Sequence, residues 1–198
     1  GELALSYAER ILGLSDEMDT RLAEMNGEMR GSLLLGASST IAESLLPGIL
    51  ADFNARYPQV RPRLIVANSE GIASRVADHG LEVGLIDAPA KLPGLSCDVC
   101  CDDEMAVICA PGYPLASLKK VGPRALVDYE DLSRAPGSGT RDVVDNYFRA
   151  NRVAVENLKT QMELGSTEAL KAVVVTGLGF ASVSRAAVEK ELQLGLLL

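Results

Sequence analysis

The stretch Gly31-Ser32-Leu33-Leu34-Leu35-Gly36-Ala37-Ser38-Ser39-Thr40 decides the fold. Its short apolar run, bounded by glycine and by hydroxylated residues, reads as a buried strand leading into a helix. In residues 41–57, Leu45, Leu46, Ile49, Leu50 and Phe53 fall on one helical face, and Pro58 stops the segment. Residues 63–67 read as the next strand, 72–79 as a helix closed by Gly80, and 83–86 as a third strand. Strand, helix, strand, helix, strand is the order of a parallel sheet with crossover helices.

Downstream of Pro93-Gly94 come residues 95–101 and the apolar run 105–110, which the turn Pro111-Gly112-Tyr113-Pro114 interrupts. Residues 131–134 lead through Pro136-Gly137-Ser138-Gly139-Thr140-Arg141 into a helix at 142–150. Residues 162–164 lead through Gly165-Ser166-Thr167 into a helix at 169–176, and a last strand at 180–183 precedes a helix at 185–191. These elements make a second α/β lobe, joined to the first by strand-like hinges rather than by a Pro/Ser linker.

Upstream, Leu3, Tyr7, Ile11, Leu14, Met18, Leu22, Met25 and Met29 recur every three or four residues. They predict an amphipathic helix of about eight turns with a narrow, coiled-coil-like seam. At ~28 residues it would reach roughly 42 Å, longer than a small domain needs, which favours self-association over folding back. Residues 1–30 carry seven acidic and three basic side chains, so this face is not a DNA-reading surface.

The 198 residues include 27 acidic and 19 basic side chains, a net charge of −8, with 47% hydrophobic and 23% charged residues. That balance argues against a polyanionic partner for this chain, since Lys and Arg supply most nucleic-acid affinity. No apolar run approaches the ~18 residues of a membrane span. Gly1-Glu2-Leu3-Ala4 shows no signal-like segment, so the expected location is cytoplasmic and unanchored.

Cys97, Cys100, Cys101 and Cys109 lie within thirteen positions, and Cys97-Asp98-Val99-Cys100 has CxxC spacing. A zinc site usually draws on a second pair, and the sole histidine, His79, lies eighteen residues upstream. No metal and no cofactor are expected; the cysteines read as reduced thiols small enough to sit in strands. A single histidine before a helix-ending glycine, without a nucleophile elbow, gives no support for an enzyme.

The chemistry concentrates where strands end: Ser38-Ser39-Thr40, Ser138-Gly139-Thr140 and Ser166-Thr167. Helix N-termini and hydroxyls both donate to anions, and in open α/β sheets such turns face the ligand cleft. Each turn taken alone also fits ordinary N-capping, and Thr40 with Glu43 fits a capping box. Gly137-Ser138-Gly139-Thr140-Arg141 is the most specific, its glycines permitting close backbone approach and Arg141 supplying fixed charge. It lacks the pattern of a nucleotide-hydrolysing loop, as Gly177-Leu178-Gly179 lacks a dinucleotide fingerprint.

Taken together, several segments resemble the regulatory part of LysR-type transcriptional regulators. Tyr7-Ala8-Glu9-Arg10-Ile11-Leu12 is similar to the start of that family's linker helix. Gly31 to Thr40, Leu45-Leu46-Pro47, Phe53 with Tyr57-Pro58, Val83-Gly84-Leu85-Ile86-Asp87, Tyr113-Pro114-Leu115, the Pro136 turn, Gly165-Ser166-Thr167-Glu168-Ala169 and Gly177-Leu178-Gly179-Phe180-Ala181 follow its order and spacing. The Pro136 turn is similar to the branch that regulates cysteine biosynthesis and carbon fixation.

The resemblance implies an α/β fold of two periplasmic-binding-protein-like lobes, with parallel-rich sheets and a hinge, behind a long N-terminal linker helix. The expected divisions are 1–30 for the linker, 31–106 for lobe I, 107–191 for lobe II, and 192–198 as the start of a return to lobe I. The implied function is effector sensing and oligomerisation for transcription control, with a small anionic metabolite in the cleft. The implied binding residues are Ser38, Ser39, Thr40, Asp87, Ser138, Gly139, Thr140, Ser166 and Thr167. Asp87 is unusual there, because a carboxylate repels an anion, and Ala135 stands where the family commonly has an acidic residue. The implied partners are a second copy, as dimer or tetramer, and DNA through a winged helix-turn-helix expected before Gly1, with room for RNA polymerase. The competing reading is a solute-binding protein of transport.

Overall fold

The computed structural model describes residues 2–25 and 30–198. Helix α1 runs over Glu2–Met25. Leu3, Tyr7, Ile11, Leu14 and Met18, one stripe of the expected seam, are all more than half exposed on it. Leu22 and Met25 fall on the backbone of the same helix, whereas Met29 lies outside the described residues.

Strand β1 (Gly31–Ser38) leads into α2 (Ser39–Ser44), α3 (Leu46–Arg56) and β2 (Val60–Ala67). Then come α4 (Ser69–Ala77) and β3 (Val83–Leu85). The single helix expected over 41–57 is broken at Leu45. Pro47 explains the break: it has no N–H to donate, and its ring clashes with the carbonyl four residues back. In the sheet β1 lies between β2 and β3, parallel to both, with Gly31 opposite Val60 and Leu35 opposite Val83. Leu35, Ala37 and Leu46 form its buried core, with Ile41, Leu50, Leu64 and Leu85 packed round them.

The second sheet opens with β4 (Met105–Cys109) and continues through α5 (Pro123–Leu126), β5 (Glu130–Arg134) and α6 (Gly139–Ala150). It is completed by β6 (Lys159–Leu164), α7 (Thr167–Val175), β7 (Phe180–Ser184) and α8 (Glu189–Gln193). The strand order is β4-β7-β5-β6, with β4 antiparallel to β7 and the other pairs parallel. Successive residues of a strand point to opposite faces. Thus Ile108 and Ala181 join Leu132, Leu170 and Val174 on one side, while Cys109 and Phe180 join Leu115, Leu126 and Phe148 on the other.

Three details depart from the sequence reading. Met105 and Ala106, assigned there to the first lobe, pair with Ser184 and Val183 of the second. Residues 192–198 lie against the second lobe: Leu197 is buried in its core, and Leu198 exchanges two backbone hydrogen bonds of 3.0 Å with Cys109. Only Cys109 sits in a strand; Cys97, Cys100 and Cys101 are exposed on an irregular segment. Their neighbours Asp98, Asp102 and Asp103 explain this, because a carboxylate-rich run stays in water. Among the described residues, no helix is long and apolar enough to cross a membrane.

Candidate functional site

The carboxyl ends of β1, β5 and β6 and the chain just beyond β3 converge between the two lobes. This is the place where open α/β sheets bind ligands. At the centre is Arg134, the last residue of β5, with 4% of its surface exposed. Its Nε donates to the Leu164 carbonyl at 3.2 Å and its Nη2 to the Gly165 carbonyl at 3.0 Å and to Ser39 Oγ at 2.9 Å. Its Nη1 donates to Thr167 Oγ1 at 2.8 Å and, more distantly, to Thr40 Oγ1 at 3.4 Å. One guanidinium of the second lobe therefore holds two hydroxylated residues of the first.

The hydroxyls continue the network from lobe to lobe. Thr40 Oγ1 lies 3.1 Å from both Thr140 Oγ1 and Thr167 Oγ1. Asp87 closes the other end, its Oδ1 accepting from Ser38 Oγ at 2.5 Å and its Oδ2 from Thr140 Oγ1 at 3.2 Å. A hydroxyl has a single proton and a carboxylate only accepts, which fixes the direction of every bond. Thr140 spends its proton on Asp87, so Thr40 donates to Thr140, Thr167 donates to Thr40, and Arg134 feeds Thr167.

Of the expected residues, Ser38, Ser39, Thr40, Asp87, Thr140 and Thr167 come together in this network. Gly139 adjoins it: a Cβ there would lie 2.7 Å from Ser69 Oγ and 3.0 Å from Asp87 Cβ. Gly137, at φ +80°, brings its carbonyl within 3.3 Å of the Glu70 N–H, and any side chain there would meet Asn68. These glycines let the Pro136 turn press against the start of α4 in the other lobe. Ser138 precedes α6, yet its hydroxyl does not cap that helix and is buried without a partner among the described residues. Ser166 stands apart, because its Oγ accepts the Ala169 N–H at 3.2 Å and serves as an ordinary N-cap of α7.

Arg141, expected to give the Pro136 turn its fixed charge, is engaged outside the hydroxyl network. Arg141 donates to the Arg134 carbonyl at 3.0 Å and pairs with Glu163 at 2.5 Å, on the outer side of β5. Arg134 supplies the positive charge instead. The sequence does hold one signal for it: a long cation at the carboxyl end of an inner parallel strand is out of place in a purely structural sheet.

Burial lowers the Arg134 pKa, while Asp87 and then Glu43 support its charge. An arginine so placed remains protonated. Glu43 on α2 is raised above the ordinary carboxylate value, first by burial and then by Glu168 across the cleft; Arg134, Lys171 and the Glu168 N–H oppose the rise. Lys171 of α7 is an ion-pair hub, bonded to Glu168 at 2.6 Å and to Glu191 at 2.9 Å. Burial alone would lower its pKa, but the two carboxylates outweigh burial and raise it.

Comparison with known proteins adds to this geometry. A family model described as the LysR substrate binding domain matches residues 26–198. A protein of Cyanidioschyzon merolae named as a probable RuBisCO transcriptional regulator is 37% identical over 199 residues, covering 99% of this chain and 66% of the relative. The regulatory domain of CcmR from Synechocystis PCC6803, solved in complex with 2-PG, is 28% identical with a TM-score of 0.75, over 84% of this chain and 78% of that one. OxyR of Corynebacterium glutamicum, as an H2O2-bound C206S mutant, is 23% identical with a TM-score of 0.79, covering 100% of this chain and 62% of that one. That last likeness concerns the fold alone. The chain spans about two thirds of the length of the curated relatives it matches.

Proposed function

The chain belongs to the LysR substrate-binding domain family, and from that premise we propose that its cleft binds a small anionic metabolite and passes the event to transcription. The periplasmic-binding-protein-like lobes expected from the sequence are those of its structural neighbours, and the transport reading gives way to the family match. The observation that carries the proposal is Arg134. A guanidinium buried among hydroxyls, with no salt bridge among the described residues, is a standing attraction for an anion. The likeness to a domain that holds 2-PG supports the same chemistry.

An effector that touches both lobes stabilises one closure angle over others, and only that difference in affinity shifts the equilibrium. The apolar stripe of α1 pairs with a second copy, so that the angle is relayed through an oligomer to DNA-reading domains elsewhere in an intracellular regulator.

The test is thermal unfolding with sulfate, phosphate and 2-PG. A ligand at about 100 times its Kd adds about 2.7 kcal/mol. For a domain of this size that is a rise in Tm of roughly 5–10 °C. Ser39→Ala and Thr40→Val should each diminish the rise, because both hydroxyls sit on the Arg134 guanidinium, and an undiminished rise in both rules out this cleft.

A further inference from the structure

The direction of the hydrogen bonds specifies more than an anion. This step rests on the cleft being the effector site and asks which anions it selects. Arg134 and Asp87 contribute opposite charges to one network, linked by Thr167 at 2.8 Å, Thr40 at 3.1 Å, Thr140 at 3.1 Å and Asp87 at 3.2 Å in donor-to-acceptor order. A ligand that enters between Thr40 and Thr140 breaks the central link. On the Arg134 side it frees the Thr40 O–H, which then needs an acceptor. On the Asp87 side it frees a lone pair of Thr140, which then needs a donor, since the Thr140 O–H still donates to Asp87.

The two ends thus make unlike demands. A bare oxyanion satisfies Thr40 but leaves Thr140 facing another acceptor, with a carboxylate behind it. Each Asp87 oxygen takes one protein hydroxyl, from Ser38 or Thr140, and a carboxylate has about four lone-pair sites, so it has capacity left for a ligand donor. Ser38 is locked in the same sense: its proton goes to Asp87 and its lone pair receives the Ile41 N–H at 3.4 Å. We propose that the cleft takes a dipolar effector, a small anion that also carries a hydroxyl or ammonium group, and that Asp87 is the residue that imposes this choice. The anionic group faces Arg134, Ser39, Thr40 and Thr167; the donor group faces Thr140 and Asp87.

A site built around a ligand hydroxyl discriminates sharply against the analogue that lacks it, because its own polar groups are then left unpaired. A matched series changes only that feature: phosphoserine with an ammonium at carbon 2, 3-phosphoglycerate with a hydroxyl, and 3-phosphopropionate with hydrogen. Titration calorimetry on the 198-residue chain should show the first two binding at least tenfold more tightly than the third, and more tightly than inorganic phosphate. Asp87→Asn should bring the ratio below threefold, and Thr140→Val should weaken the first two at least tenfold while changing the third less than threefold. Asp87→Ser serves if the asparagine variant fails to fold by circular dichroism.

Equal binding of the hydroxyl and hydrogen compounds by the unaltered chain overturns the dipolar preference while leaving the anion cleft intact. A ratio that survives in Asp87→Asn removes Asp87 from the role. Absence of binding by every compound, phosphate and 2-PG included, overturns both this inference and the cleft reading on which it rests.

Discussion

The interlobe cleft and helix α1 invert the usual rule of burial in opposite ways. In the cleft an arginine and six hydroxylated residues are buried: Ser38, Ser39, Thr40, Ser138, Thr140 and Thr167. On α1, Leu3, Tyr7, Ile11, Leu14 and Met18 stand in the open. Polar groups buried so densely need a defined set of partners, and an apolar stripe so exposed needs a cover. Apart from the Ser138 hydroxyl, the first demand is met within the chain, in the one arrangement its hydrogen-bond directions allow, and is therefore sensitive to a small molecule. For the second, the proposed cover is a second copy of the chain.

The strongest way to break the comparison is to remove the cation that organises the cleft. Arg134→Met should leave the Leu164 and Gly165 carbonyls and the Ser39 hydroxyl without their donor. Each buried group deprived of a partner costs about 1–3 kcal/mol, and part is recovered as hydroxyls pair with one another. The expected loss is about 2–4 kcal/mol in urea unfolding, together with all stabilisation by added anions. Undiminished stability would mean that the closed network contributes little to the fold.

The same comparison says that α1 behaves oppositely: charges introduced on its stripe should spare the fold and destroy assembly. Ile11→Lys with Leu14→Lys should raise the dissociation constant of self-association at least tenfold by sedimentation, since each large apolar side chain contributes about 1.5–3 kcal/mol when covered. Unfolding free energy measured on the monomer should move by less than about 0.5 kcal/mol, as for exposed positions in general. A chain that sediments as a monomer before substitution would break the comparison at this end.

Legibility from the sequence follows the same division. The turns at Ser38-Ser39-Thr40, Thr140 and Thr167 stand out because strands end and helices begin there, and local rules govern both events. The periodicity of α1 is equally local. What escaped were consequences of packing at a distance. Arg134 and Arg141 lie seven positions apart, and only the assembled sheet decides that the first enters the cleft while the second reaches back to the Arg134 carbonyl and out to Glu163. Likewise nothing in the residues around Leu198 says that it pairs with Cys109. By contrast the break between α2 and α3 has a local cause, since Pro47 lies at the start of α3.

Strand β5 sharpens the comparison within one element, because it buries a second charge, Asp131, near its other end. There no network of donors converges: Thr160 Oγ1 donates at 2.9 Å, and burial prevails, raising the carboxyl above its ordinary value of 3.8 in spite of Thr160 and Arg141. A carboxyl raised in the folded state holds its proton more tightly than in the unfolded chain, so unfolding releases a proton between pH 3.8 and the elevated folded value. Its contribution to stability is therefore complete below 3.8 and is lost as the pH rises through the elevated folded value. Asp131→Asn keeps an acceptor for Thr160 and removes the ionisation. The variant should exceed the unaltered chain by about 0.5–1 kcal/mol at pH 7, the usual size of a single stabilising change, and the two should converge as the pH falls below 3.8. Urea unfolding across that range measures the difference, and a gap that stays constant with pH would show that the buried carboxylate of Asp131, unlike the guanidinium of Arg134, carries no cost in being charged.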